Sequence, residues 1–157
     1  MKKIEFLVKL SIEKKLRIVE PSENMKESYI SKSSHSLNSA LILLNKDEIE
    51  DAIPLAYYSM YNMLTALLYK SGIKCENHSA SIILLKELFE FDDSKISFAK
   101  TERVDKQYYV EFKLSKKDTE DMIKLAKEFN SILYDFIEKI TLRDIAKYRA
   151  ELEKILK

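Results

Sequence analysis

A chain of 157 residues, 46% of them hydrophobic, has the size of one domain and enough apolar mass for a core without disulfides or metals. One Gly and two Pro leave few positions for tight hairpins, which excludes a fold of many short strands and implies long elements. Lys and Arg total 27 against 26 Asp and Glu, so a net charge of +1 excludes global attraction to nucleic acid or anionic lipid, and any phosphate site must be a local cluster.

The single cysteine, Cys75, precludes an internal disulfide and fits a cytoplasmic setting. Glu5, Lys9, Glu13 and Lys14 interrupt the first apolar residues, so no signal peptide is expected, and no apolar run approaches the length of a membrane span.

In chain order, Ile4, Leu7, Val8 and Ile12 predict a short helix within residues 4–15. Leu16, Ile18 and Val19 then lead to Glu20-Pro21-Ser22, where Pro21 stops one element and Ser22 caps the next. The helix that follows is predicted to reach about Asn45, with Met25, Tyr29, Leu37, Ala40, Leu41 and Leu44 inward. Its serines, among them Ser33, Ser36 and Ser39, let a neighbouring helix approach closely.

From Asp47 or Glu48 to Ser71 a wide apolar stripe, Ile49 to Leu68, predicts a helix packed on more than one side. Pro54 inside it predicts a kink or local break near Glu50. Gly72 is placed to end it in the left-handed conformation. After a loop over residues 73–77, Asn77 caps a helix from His78 to about Phe91, and residues 95–107 form another. Residues 108–114 alternate like a strand but have no evident mate, and read as an extended connector.

Ser115 with Asp118, and Thr141 with Asp144, are capping pairs for two last helices, the first carrying Met122 to Ile140 at heptad-like spacing. The expected fold is all-α: an up-and-down antiparallel bundle of about five long helices plus short N- and C-terminal ones. Residues 1–157 are expected to form one domain, its core at about 16–140 and an extra helix at 141–157.

No Gly-rich phosphate loop, histidine pair or nucleophile elbow occurs, and one cysteine cannot build a structural zinc site, so neither cofactor nor metal is expected. A polar constellation remains around residues 73–78. Tyr58 and Asn62 lie one turn apart, while Lys74, Asn77 and His78 stand where a loop opens a helix. A helix start beside a cation and an imidazole suits a phosphate, although capping, packing and a surface histidine would account for the same residues.

Ala56-Tyr57-Tyr58-Ser59-Met60-Tyr61-Asn62, then Leu67-Leu68, Gly72-Ile73 and Asn77-His78 before an aliphatic helix, resemble the HEPN domain family, in particular its small prokaryotic members. Glu20-Pro21-Ser22, and Arg103 with Gln107-Tyr108, extend the likeness over about residues 16–140. The resemblance implies a helical bundle that dimerises, with a cleft near the dimer axis, often paired with a minimal nucleotidyltransferase and in some pairs acting as toxin and antitoxin. It also implies, for active ribonucleases, an arginine followed after four to six residues by a histidine. This sequence departs from that motif: Lys74 precedes His78, and Gln107 follows Arg103.

Three readings follow. The first is a cytoplasmic homodimer in a nucleotidyltransferase-linked toxin–antitoxin or defence pair, binding nucleotide or RNA phosphate through Tyr58, Asn62, Asn77 and Arg103. The second is a non-catalytic subunit that docks a nucleotidyltransferase. The third is a metal-independent ribonuclease with His78 as base and Lys74 as cation. Near-zero net charge favours the second over the third.

Overall fold

The computed structural model describes residues 2–108 and 115–157. Among them are seven helices, α1 (Lys2–Ile12), α2 (Glu23–Asn45), α3 (Ile49–Lys70), α4 (His78–Glu87), α5 (Ser94–Tyr108), α6 (Lys116–Lys139) and α7 (Leu142–Leu156). The protein is an all-α helical bundle. The connector expected over 108–114 lies outside the described residues, except that Tyr108 closes α5.

The helix starts follow the capping chemistry read from the sequence. Ser22, Asn77 and Ser115 each accept a hydrogen bond from the backbone N–H three residues on, and Thr141 with Asp144 forms a complete capping box. Gly72 follows α3 at a φ of 73°. A Cβ there would lie 2.6 Å from the Val19 carbonyl and collide with Arg149, so the turn requires glycine for both its angle and its space.

Helix α3 is the central element. Its residues from Ala52 to Leu68 are mostly buried within the single chain, against α2, α5 and α6. The helix continues through Pro54 without a break, because the proline sits in its second turn and removes only one backbone bond. The small residues of α2 admit α3 closely: Ser33 Oγ donates to the Ser59 carbonyl at 2.7 Å. On α6, Asn130 Nδ2 donates to Ser59 Oγ at 3.1 Å, so one serine of α3 ties three helices together.

Three details differ from the sequence reading. Leu16–Ile18 and Ile73–Cys75 are strands β1 and β2, paired antiparallel with Leu16 opposite Cys75 and Ile18 opposite Ile73. Each is three residues long, too short for alternation to declare it. On α2, Met25 is 37% exposed while Lys26 is only 4% exposed, since three carboxylates accompany the ammonium into the contact. On α6, Ile132 is 53% exposed, and the buried stripe is instead completed by Ile123 and Asn130.

Beyond the ribbon, Arg149 of α7 donates to the carbonyls of Val19 and Gly72, and Phe89, Phe136 and Tyr148 pack α7 onto the bundle. No helix among the described residues is long and apolar enough to cross a membrane.

Candidate functional site

The β1–β2 ribbon delivers the chain to Asn77, whose Oδ1 accepts from Ala80 N at 2.9 Å and starts α4 with His78 as its first residue. His78 is thereby laid against the middle of α3. Its ring stacks on Tyr61, centroids 3.7 Å apart, and its Nδ1 lies 2.8 Å from the Tyr57 hydroxyl. Tyr57 and Tyr61 are one turn apart, so a single face of α3 grips the imidazole twice.

The other side of the cluster comes from α5. Arg103 Nη1 donates to the Tyr58 hydroxyl at 3.0 Å, and the guanidinium lies over the rings of Tyr57 and Tyr58, 5.2 and 5.6 Å from their centroids. One turn earlier, Lys100 Nζ donates to Ser79 Oγ at 2.6 Å, at the start of α4. Of these two cations on one face of α5, Lys100 meets the N-terminal end of α4, whose uncapped N–H groups carry partial positive charge, while Arg103 packs on the tyrosines of α3 and its charge reaches His78. Among the described residues no carboxylate pairs with Lys100 or Arg103, and the buried Arg103 Nε has no hydrogen-bond partner.

This environment sets the protonation states. Burial pushes the Tyr57 phenol well above its usual pKa, so it keeps its proton. Burial first, then the charges of Arg103 and Lys100, hold the His78 pKa below its ordinary value, so the ring is neutral at pH 7. His78 Nδ1 and the Tyr57 hydroxyl are hydrogen-bonded: the phenol donates in the Nε2–H tautomer of the neutral ring and accepts in the Nδ1–H tautomer. In the first tautomer Nε2 is a hydrogen-bond donor, and in the second it carries a free lone pair.

Of the residues singled out in the sequence, Tyr58, His78 and Arg103 come together here, with Asn77 directing His78 as a cap. Two do not join them. Asn62 Nδ2 turns to Ser36 Oγ of α2, at 3.5 Å. Lys74 lies on β2 with its Nζ 3.7 Å from Glu76 Oε1 and lines a separate cavity. Sequence reasoning assigned Tyr57 and Tyr61 a place in the family-like segment but no site role, and Lys100 neither. The available signals were the Tyr57/Tyr61 and Lys100/Arg103 spacings, each one helical turn.

The HEPN domain model matches residues 26–140, which span α2 to the end of α6 and include every residue of the cluster. A 56-residue stretch is 39% identical to the UPF0332 protein PH1297 of Pyrococcus horikoshii, covering 36% of this chain and 39% of that protein. The matched stretch thus spans about two-fifths of the relative's length.

Proposed function

The chain belongs to the HEPN domain family, and on that premise we propose that it binds the phosphate of a nucleotide or of RNA at the Lys100–Arg103–His78 cluster. The observation that carries this reading is the pair of cations on α5, Lys100 at the start of α4 and Arg103 on the tyrosines beside His78, without a carboxylate among the described residues, one of them with an unused buried N–H. A phosphate oxygen would accept from Arg103 Nε, from the helix start and, in the Nε2–H tautomer, from neutral His78, each bond strengthened by the anion's charge. Titration calorimetry with inorganic phosphate checks it. Arg103→Ala should weaken binding about tenfold or more, since a hydrogen bond to a charged group is worth roughly 1.5–3 kcal/mol. Equal affinities would remove the site.

The wider role rests on family membership: a homodimer working beside a nucleotidyltransferase in a toxin–antitoxin or defence pair. The apolar stripe of α3 is not a reason for dimerisation, because it is covered within the chain. Sedimentation should nonetheless give about twice the 18.4 kDa chain mass; a monomer at micromolar concentration would overturn the dimer.

A metal-independent ribonuclease is the second reading, favoured by the arrival of an arginine and a histidine in one cluster from α5 and α4. Its general base would be His78 in the tautomer that donates Nδ1–H to Tyr57 and keeps the Nε2 lone pair free. RNA cleavage in the presence of a chelator, lost in Arg103→Ala, would decide for the enzyme.

A further inference from the structure

Beside the cluster, between α2, the C-terminal half of α3 and β2, lies a cavity of about 260 Å³. Its walls include Tyr29, Tyr61 and Tyr69, and Lys74 and Glu76 stand on its lining. Tyr29 and Tyr69 stack with ring centroids 5.5 Å apart and planes within 17°. Tyr61 belongs to both places: it lines the cavity and its ring stacks on His78. The cavity is therefore the immediate neighbour of the cationic cluster.

We propose that this cavity receives a nucleobase, guanine by preference, of the same nucleotide or RNA whose phosphate sits at Lys100, Arg103 and His78. The proposal rests on the phosphate reading above and names the substrate class more closely. Size is the first argument: drug-sized ligands occupy about 300–1,000 Å³, so this space suits one small ring system. Aromatic walls are the second, because bases stack on tyrosine rings regardless of sequence.

The third argument is the pair on the lining. Lys74 presents an ammonium and Glu76 a carboxylate, 3.7 Å apart on the strand and the residue just beyond it. Guanine's edge offers a carbonyl oxygen for the ammonium and, beside it, two parallel N–H groups for one carboxylate. Adenine, cytosine and uracil lack that double donor. Glu76 is exposed and Lys74 half-buried, and at 3.7 Å their mutual ion pair is weak and opens readily for a ligand.

Calorimetry on the full chain tests this with four probes: guanosine 5′-monophosphate, cytidine 5′-monophosphate, ribose 5-phosphate and guanosine. The guanine nucleotide should bind at least tenfold more tightly than ribose 5-phosphate, and more tightly than the cytosine nucleotide. Tyr69→Leu should bring it down to the ribose 5-phosphate level. Glu76→Gln, at an exposed position where the fold is safe, should erase the difference between the two nucleotides. Neither variant should alter ribose 5-phosphate binding. Equal affinity for the guanine nucleotide and ribose 5-phosphate, or no guanine preference for Glu76→Gln to erase, would overturn the proposal and leave the phosphate site standing. Guanosine binding that needs Tyr69 while ribose 5-phosphate fails to bind would uphold the base cavity and retire the phosphate site instead.

Discussion

Two groups of buried or half-buried cations in this protein have opposite surroundings. Lys26, on α2, is nearly inaccessible, yet its Nζ lies 2.9 Å from Glu23, 2.6 Å from Glu27 and 3.8 Å from Glu138. Burial alone would lower its pKa, but the bonds to Glu27 and Glu23 outweigh that and raise it. Lys100 and Arg103, on α5, meet only hydroxyls and tyrosine rings among the described residues, and their charge presses His78 towards neutrality. A cation enclosed by carboxylates has its field cancelled locally and can only hold structure. A cation left among neutral groups retains its field for a ligand, and a low-dielectric surrounding strengthens that field. A net charge of +1 conceals this difference, because the two groups average out across the chain.

The comparison breaks if the second group can be made to resemble the first without consequence. Ser79→Glu would set a carboxylate beside Lys100, and an acidic residue in the first turn of α4 suits the helix. Phosphate affinity should fall about tenfold or more, a change of at least ~1.4 kcal/mol. Calorimetry reading an unchanged affinity would mean that Lys100 faces no ligand.

Lys26→Met is the reciprocal change, and its expected effect is smaller. It keeps the apolar stem and leaves three carboxylates that water still reaches, so it should cost about 1 kcal/mol. For a chain of this size that lowers the melting temperature by about 2–4 °C. Phosphate binding should stay the same. A weakened affinity in Lys26→Met would show that the enclosed cation does project its charge.

The smallest effect sharpens the comparison through pH. Because the folded-state pKa of His78 lies below its ordinary value of 6.5, the unfolded chain binds the proton more readily. Stability attributable to neutral His78 is then complete above about pH 6.5 and is lost as pH falls through the lower folded value. Glu23, whose pKa is lowered chiefly by its bond to Lys26, loses its contribution only further into the acid range, below its ordinary 4.5. Chemical denaturation between pH 5 and 7 should therefore show a decline in the native chain that His78→Gln flattens. A decline of equal slope in His78→Gln would place its origin elsewhere.

Local chemistry made much of the fold legible. Ser22, Asn77, Ser115 and Thr141 announce helix starts because each side-chain oxygen satisfies an N–H only three residues away. Gly72 marks the end of α3 because few residues tolerate its angle. The two-stranded ribbon escaped, since Leu16–Ile18 pairs with a segment more than fifty residues downstream and neither strand is long enough to signal its partner. Met25 and Lys26 were exchanged because helical spacing ranks residues by hydrophobicity, whereas Glu138, distant in sequence, helps make the lysine the one to bury.

The same division runs through the candidate site. By itself the sequence determined an all-α fold, the placement of His78 at a helix start, and a tyrosine-rich face on α3, because these depend on residues within a turn or two of one another. Only the tertiary structure decided which cations bring their charge to the histidine. Lys74 is four residues away in sequence, but the ribbon carries it to the neighbouring cavity and to Glu76. Arg103 is twenty-five residues away, and packing of α5 on α3 brings it through Tyr58 to the imidazole's side. Charge acts through space while sequence reading acts along the chain, and at this site the two distances rank the cations in opposite order.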